Sequence, residues 1–216
     1  MHCRIRPEAH RTLDNLLSAT GLSVFRGDRC LFRNLEFALN PGELLSVEGA
    51  NGSGKTSLLR GLAGLLEFEA GELCWNGTPV SADYQSFRAE LAWFSHRVGL
   101  KGDLNPVENL LFECALRPSS PLDLPKILER LGLQNLTDLP VRYLSAGQQR
   151  RVALARLLLS AGRLWIMDEP FTNLDKDGRD LVADLITGHL GQGGLCIAAS
   201  HQSIDVDATI HRINIL

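Results

Sequence analysis

No stretch of the chain stays apolar for the roughly 18 to 20 residues that a bilayer-crossing helix needs. The longest such run, Val152 to Met167, is cut by Arg156 and Arg163. Direct insertion into a membrane is therefore not expected, and any contact with one would run through another protein. An excess of positive charge is also missing: 22 Lys and Arg stand against 25 Asp and Glu, for a formal net charge of -3, and the basic residues are dispersed. Without that electrostatic footprint, nucleic acid is not an expected partner. The segment Met1-His2-Cys3-Arg4-Ile5-Arg6-Pro7 carries charge with no apolar core behind it, which reads against a secretory signal and for a cytoplasmic chain. The five cysteines (Cys3, Cys30, Cys74, Cys114, Cys196) are odd in number and scattered, with no C-x-x-C pair and no His at metal spacing, so they read as buried reduced thiols. Repeats and low-complexity tracts are lacking too.

What is present fits one globular domain: 216 residues, 44% hydrophobic and 22% charged. Residues 1–19 are polar and poorly patterned and read as an arm, leaving 20–216 as the folded unit. Leu22 to Phe37 reads as two short strands about a turn at Gly27-Asp28, and Asn40-Pro41-Gly42 is a turn before a strand at Glu43 to Glu48. The leucine spacing of Thr56 to Leu66 predicts a helix. Further strands are expected at Gly71 to Trp75, Leu91 to Phe94, Leu164 to Met167 and Leu195 to Ala199. Helices are expected at Val107 to Leu116, Lys126 to Leu131, Ala146 to Ser160 and Gly178 to His189. Pro106, Pro118, Pro121, Pro125 and Pro140 break residues 98–143 into a small helical lobe. The alternation of apolar strands and helices predicts an α/β fold, a largely parallel sheet covered by helices with an antiparallel portion near the N-terminus.

Gly49-Ala50-Asn51-Gly52-Ser53-Gly54-Lys55-Thr56 matches G-x-x-x-x-G-K-[ST] at every fixed position, between a predicted strand and a predicted helix. Its glycines let backbone N–H groups turn inward around phosphates, and the helix that begins there adds its positive end. Lys55 is placed to reach the β- and γ-phosphates and Thr56 to give a hydroxyl to Mg²⁺. Leu164 to Met167 then runs into Asp168 and Glu169, where an open parallel sheet holds its ligands. Asp168 is the candidate Mg²⁺ ligand, directly or through water, and Glu169 the general base or orienter of the attacking water.

Leu144-Ser145-Ala146-Gly147-Gln148 carries Ser145 three residues before Gln148, a capping box for the helix that follows. A capped helix start with an exposed Ser and Gly is also an anion site, able to grip a γ-phosphate presented by another molecule. With this segment the sequence resembles the ABC ATPase family over residues 22 to 212, Ala146 standing at the third position of its L-S-G-G-Q signature. Asn173-Leu174-Asp175 resembles the family's D-loop, and His201 resembles the switch histidine at the γ-phosphate. The resemblance implies a P-loop fold, ATP and Mg²⁺ as ligands, Asp175 among the nucleotide-binding residues, a homodimer in which Ser145, Gly147 and Gln148 of one copy face the nucleotide of the other, and integral membrane subunits. Leu144 to Leu158, Met167 to Thr172, the short helical lobe and Ser200-His201-Gln202 are similar to the ATP-binding subunits of haem-export complexes in cytochrome c biogenesis. That likeness implies a peripheral position on the cytoplasmic face of the membrane, with haem delivery or release of a haem chaperone as the driven step.

Two positions depart from the family pattern. Arg97 falls where a Gln ordinarily follows the strand after the phosphate-loop helix; a cation cannot ligate Mg²⁺, so Arg97 would contact phosphate or His96 would take part, Gln85 lying too far upstream. Arg26, with Phe25 beside it, falls where an aromatic commonly stacks on adenine; its guanidinium is able to stack, and an exposed turn residue is the alternative. These departures keep open a rival reading, an ATP-binding regulatory subunit with weak turnover, alongside an ATPase of another transporter.

Overall fold

A computed structural model describes residues 16–27, 29–116, 123–172, 174–201 and 203–215. The arm expected over 1–19 therefore lies outside the described residues up to 15, as do Asp28 of the expected turn, Asn173 and Gln202. From Leu17 onward the chain is already strand, so the first strand opens five residues before its expected start.

The segments with an unbroken apolar run are the central strands. β7 (Leu164–Asp168) and β8 (Leu195–Ala199) are buried at every residue, as parallel strands covered on both faces must be. With β3 (Glu43–Gly49), β6 (Leu91–Phe94) and β9 (Thr209–Ile215) they form a five-stranded parallel sheet in the order β6-β7-β8-β3-β9. The antiparallel strands form a second sheet of their own, β1 (Leu17–Arg26), β2 (Arg29–Leu39), β4 (Ala70–Trp75) and β5 (Thr78–Pro79), ordered β2-β1-β4-β5.

Strand alternation sends side chains to two cores. Leu164, Ile166, Leu195 and Ile197 meet Leu17, Leu22 and Leu39 of the antiparallel sheet together with Leu58, Leu59 and Leu62 of α1 (Lys55–Leu62). Trp165, Met167, Cys196 and Ala198 point the other way, toward α3 (Pro106–Leu116), α4 (Leu124–Arg130), α5 (Ala146–Leu159) and α6 (Lys176–Gly191). Each fully buried leucine on these faces contributes about 2 kcal/mol of transfer free energy. α1 ends four residues before the periodicity does, because Gly64 takes φ +67 and turns Leu65 and Leu66 out to solvent. The short α2 (Tyr84–Ala89), β5 and β9 had no prediction. The thiols are not uniformly buried either: Cys196 is, Cys74 and Cys114 are half-buried, and Cys30 is exposed on a strand whose outer face meets water.

His189 near the end of α6 stacks on Trp165 of β7, ring centroids 3.9 Å apart and 7° from parallel. Its Nε2 lies 3.1 Å from the carbonyls of both Arg163 and Leu195. Burial holds the imidazole below its ordinary pKa, the two carbonyl bonds opposing this. The unfolded chain thus takes up a proton that the folded chain resists, and stability declines as pH falls below the unfolded value of about 6.5. His189→Phe keeps a ring on Trp165 and removes the titration. Melting temperature followed from pH 7.5 downward should drop less steeply in the variant; identical slopes would exclude His189 as the cause.

Candidate active site

β3 delivers the chain to the phosphate loop at the carboxyl edge of the parallel sheet. Gly49 leaves the strand with φ +150, where a Cβ would lie 2.4 Å from the Ile215 carbonyl oxygen and 2.6 Å from Ser53 Oγ, so no larger residue fits. Gly54, at φ +116, is the N-cap of α1 and supplies no side-chain cap, leaving the helix's first N–H groups to another acceptor. Lys55 is 7% exposed and its Nζ donates to the carbonyls of Gly49 at 2.7 Å and Ala50 at 3.1 Å. Ser53 Oγ is buried without a hydrogen-bond partner among the described residues. An unsatisfied hydroxyl in a loop of inward-turned amides fits a phosphate oxygen.

β7 brings up the acids. Thr56 Oγ1 donates to Asp168 Oδ2 at 3.0 Å, with Oδ1 at 3.3 Å. Asp168 is 4% exposed, and burial raises its carboxyl pKa; the Thr56 bond, His96 and Lys55 oppose that rise while Glu169 adds to it. A hard oxygen pair beside a phosphate loop fits Mg²⁺, which takes few protein ligands and completes its shell with water and substrate phosphate.

Glu169 turns out of the strand with φ +52, in the left-handed region. Its Oε2 accepts from His201 Nδ1 at 2.8 Å and from Thr172 Oγ1 at 3.3 Å, and its Oε1 lies 4.0 Å from Lys55 Nζ. Lys55, Thr56, Asp168, Glu169, His201 and Arg26 line one open cleft of about 520 Å³ together with Asn51, Gly52 and Gly54 of the loop, and Leu31, Ser57, His96 and Thr172 also stand in its walls. Gly49 and Ala50 face an adjoining hollow shared with Ser200 and His201.

The expected signature and D-loop residues stand elsewhere. Ser145 is the exposed N-cap of α5, accepting from Gln148 N at 3.2 Å while Gln148 Oε1 accepts from Ser145 N at 2.9 Å, the capping box read from the sequence. Gly147 follows it on the first turn. None of these three lines the chain's own cleft. Asp175 does not line it either; its Oδ1 caps α6 by accepting from Gly178 N at 2.8 Å. At the departures, His96 lines the cleft and Arg97 does not, and Arg26 lines it while the Phe25 ring is covered by Arg33 with its guanidinium carbon 5.7 Å from the centroid. Thr172 carried no expected role; a lone Thr three residues past an acid gives no signal until the turn folds back.

Residues 32–172 match the family model of the ABC transporter. The chain is 46% identical over 204 residues to the cytochrome c biogenesis ATP-binding export protein CcmA of Methylococcus capsulatus, covering 94% of this chain and 99% of the relative. It is 43% identical over 199 residues to the protein of the same name from Yersinia pseudotuberculosis, covering 92% and 90% of the two chains. In fold it resembles an ABC transporter ATP-binding protein from Pyrococcus furiosus, with a TM-score of 0.80, 23% identity and coverage of 92% and 96%.

Proposed function

The chain belongs to the ABC transporter family, and from that premise we propose that it is the ATP-hydrolysing subunit of an export complex in cytochrome c biogenesis, driving haem delivery or haem-chaperone release. The observation that carries the reading is the Glu169–His201 pair at 2.8 Å, held 4.0 Å from the phosphate-loop Lys55. It rests also on whole-length relatives of that name.

The loop amides and Lys55 bind the triphosphate. Thr56 and Asp168 would hold Mg²⁺, which supplies charge neutralisation at the β- and γ-phosphates. Glu169 takes the proton of the attacking water, and His201, donating from Nδ1, keeps that carboxylate turned toward the γ-phosphate. Arg97 does not line the cleft, so it does not occupy the metal position, which favours an active ATPase over a regulatory subunit with weak turnover.

Ser145, Gly147 and Gln148 lie off the chain's own cleft, which supports a homodimer in which the N-terminus of α5 meets the nucleotide held by the other copy. Exposed Leu111, Phe112 and Leu116 on α3 support docking of an integral membrane subunit on the helical lobe. No helix among the described residues is long and apolar enough to cross a membrane. We place the chain at the periphery of the cytoplasmic face.

Arg26 lines the cleft with a guanidinium able to stack on a base. Arg26→Ala is expected to raise KM for ATP about fivefold, the equivalent of about 1 kcal/mol of stacking, with kcat unchanged; an unaltered KM would assign the base to another wall. The function itself is tested in a strain deleted for its own subunit. Restored c-type cytochrome spectra with this chain, and none with Lys55→Ala, support it; restoration by both would reject it.

A further inference from the structure

Arg150 is only 5% exposed, although nothing in its sequence context marks it apart from Arg151. It sits on the second turn of α5, five residues after the N-cap Ser145. Burying a guanidinium is costly unless its donors are met, and one short segment here accepts from two of its nitrogens. Nε donates to the Pro170 carbonyl at 3.3 Å, and Nη2 donates to the Glu169 carbonyl. The guanidinium carbon lies 5.0 Å from the centroid of Phe94 at the end of β6. Burial works against the charge, and the carboxylates of Glu169 and Asp168 favour it.

Both accepting carbonyls belong to the turn that carries Glu169 out of β7. Glu169 has φ +52, a conformation that residues with a side chain seldom hold unless their surroundings fix it. Its N–H donates to the Ala199 carbonyl at 2.9 Å, and its carbonyl also accepts from Thr172 N at 3.3 Å. The fork of Arg150 closes this arrangement from the α5 side.

We propose that Arg150 is a positioning residue: its guanidinium holds the Glu169 and Pro170 carbonyls so that the Glu169 carboxylate faces Lys55 and His201, and it ties that carboxylate to the helix bearing Ser145. The inference rests on the reading of Glu169 as general base. A displacement of α5, whose N-terminus would meet the nucleotide of the other copy, thereby reaches the base of this chain's own site through a single side chain.

Arg150→Lys keeps the charge in place and loses the planar fork that spans two carbonyls. The experiment measures phosphate release, ATP affinity by nucleotide displacement, and melting temperature for Arg150→Lys and Arg150→Met, and single-turnover rates for each combined with Glu169→Gln. The expected result is a fall in kcat of roughly 10- to 100-fold, as for a sub-ångström to ångström misplacement, with ATP affinity within about twofold of the parent. In the Glu169→Gln background neither Arg150 variant should lower the residual rate further, since both act through one group. Full kcat in Arg150→Lys, affinity lost in step with kcat, or losses that multiply in the double variants would each overturn the inference. Should Arg150→Met not fold, Arg150→Lys alone decides the same three outcomes. If Glu169→Gln itself turns over at the parent rate, the reading of Glu169 has failed; if it is inactive while Arg150→Lys is fully active, only the role of Arg150 has.

Discussion

Lys55→Ala is expected to weaken ATP binding by about 10- to 100-fold, the loss of one charge-assisted contact of about 1.5–3 kcal/mol, and to bring hydrolysis below detection. The ammonium is 7% exposed and reaches the Gly49 and Ala50 carbonyls at 2.7 and 3.1 Å, so it stands over the mouth of the loop where a triphosphate must enter. Those same bonds steady the loop, and their removal also costs some stability. Melting temperature measured without nucleotide separates the two effects, since the loss of binding should exceed anything that a small shift in folding could cause. Equilibrium binding of a fluorescent ATP analogue reads it directly. Parent affinity in the variant would remove Lys55 from the phosphate site.

Glu169→Gln should leave ATP binding intact and lower kcat by roughly 10²- to 10⁴-fold, the usual range for a lost general base. Gln is nearly isosteric and its amide oxygen still accepts from Thr172 Oγ1, now 3.3 Å from Glu169 Oε2. The turn at φ +52 is therefore preserved while the proton acceptor is removed. Bound ATP then persists, and the variant should accumulate as an ATP-dependent dimer on size-exclusion chromatography with magnesium. A monomer under those conditions would count against two copies sharing the nucleotide.

Much of this site was legible because its parts are local in sequence. The eight residues from Gly49 to Thr56 need only their own spacing and a strand before them. The capping box at Ser145 and Gln148 lies within one helical turn, and Asp168 and Glu169 close a strand whose apolar run is plain. The unread parts depend on tertiary neighbours. Whether His96 or Arg97 enters the cleft is settled by which way the chain turns after β6, and consecutive residues give no sign of it. Arg150 and Arg151 look alike in sequence, yet one is buried under the turn that carries Glu169 and the other is half-buried, because α5 presents only one face to the strand ends. Asp175 has the D-loop spacing but its carboxylate is engaged in capping α6, a use that competes for the same oxygen.

In the fold, central strands were read well and edges poorly. β9 pairs along β3 from Thr209 to Ile215, yet only Ile213 and Ile215 are buried, too few apolar positions to signal a strand. Cys30 misled for the same reason, since it lies on the wet face of β2. α1 ended early because one left-handed glycine outweighed a leucine periodicity that continued past it.

ATP hydrolysis by this chain on behalf of a membrane partner is open to one assay. The most direct measurement is phosphate release from ATP by the complex purified with its membrane subunits, with and without Mg²⁺. Magnesium-dependent turnover that disappears when Glu169→Gln replaces the parent chain is the expected result. Turnover at the parent rate in Glu169→Gln, or release indifferent to magnesium, would contradict it.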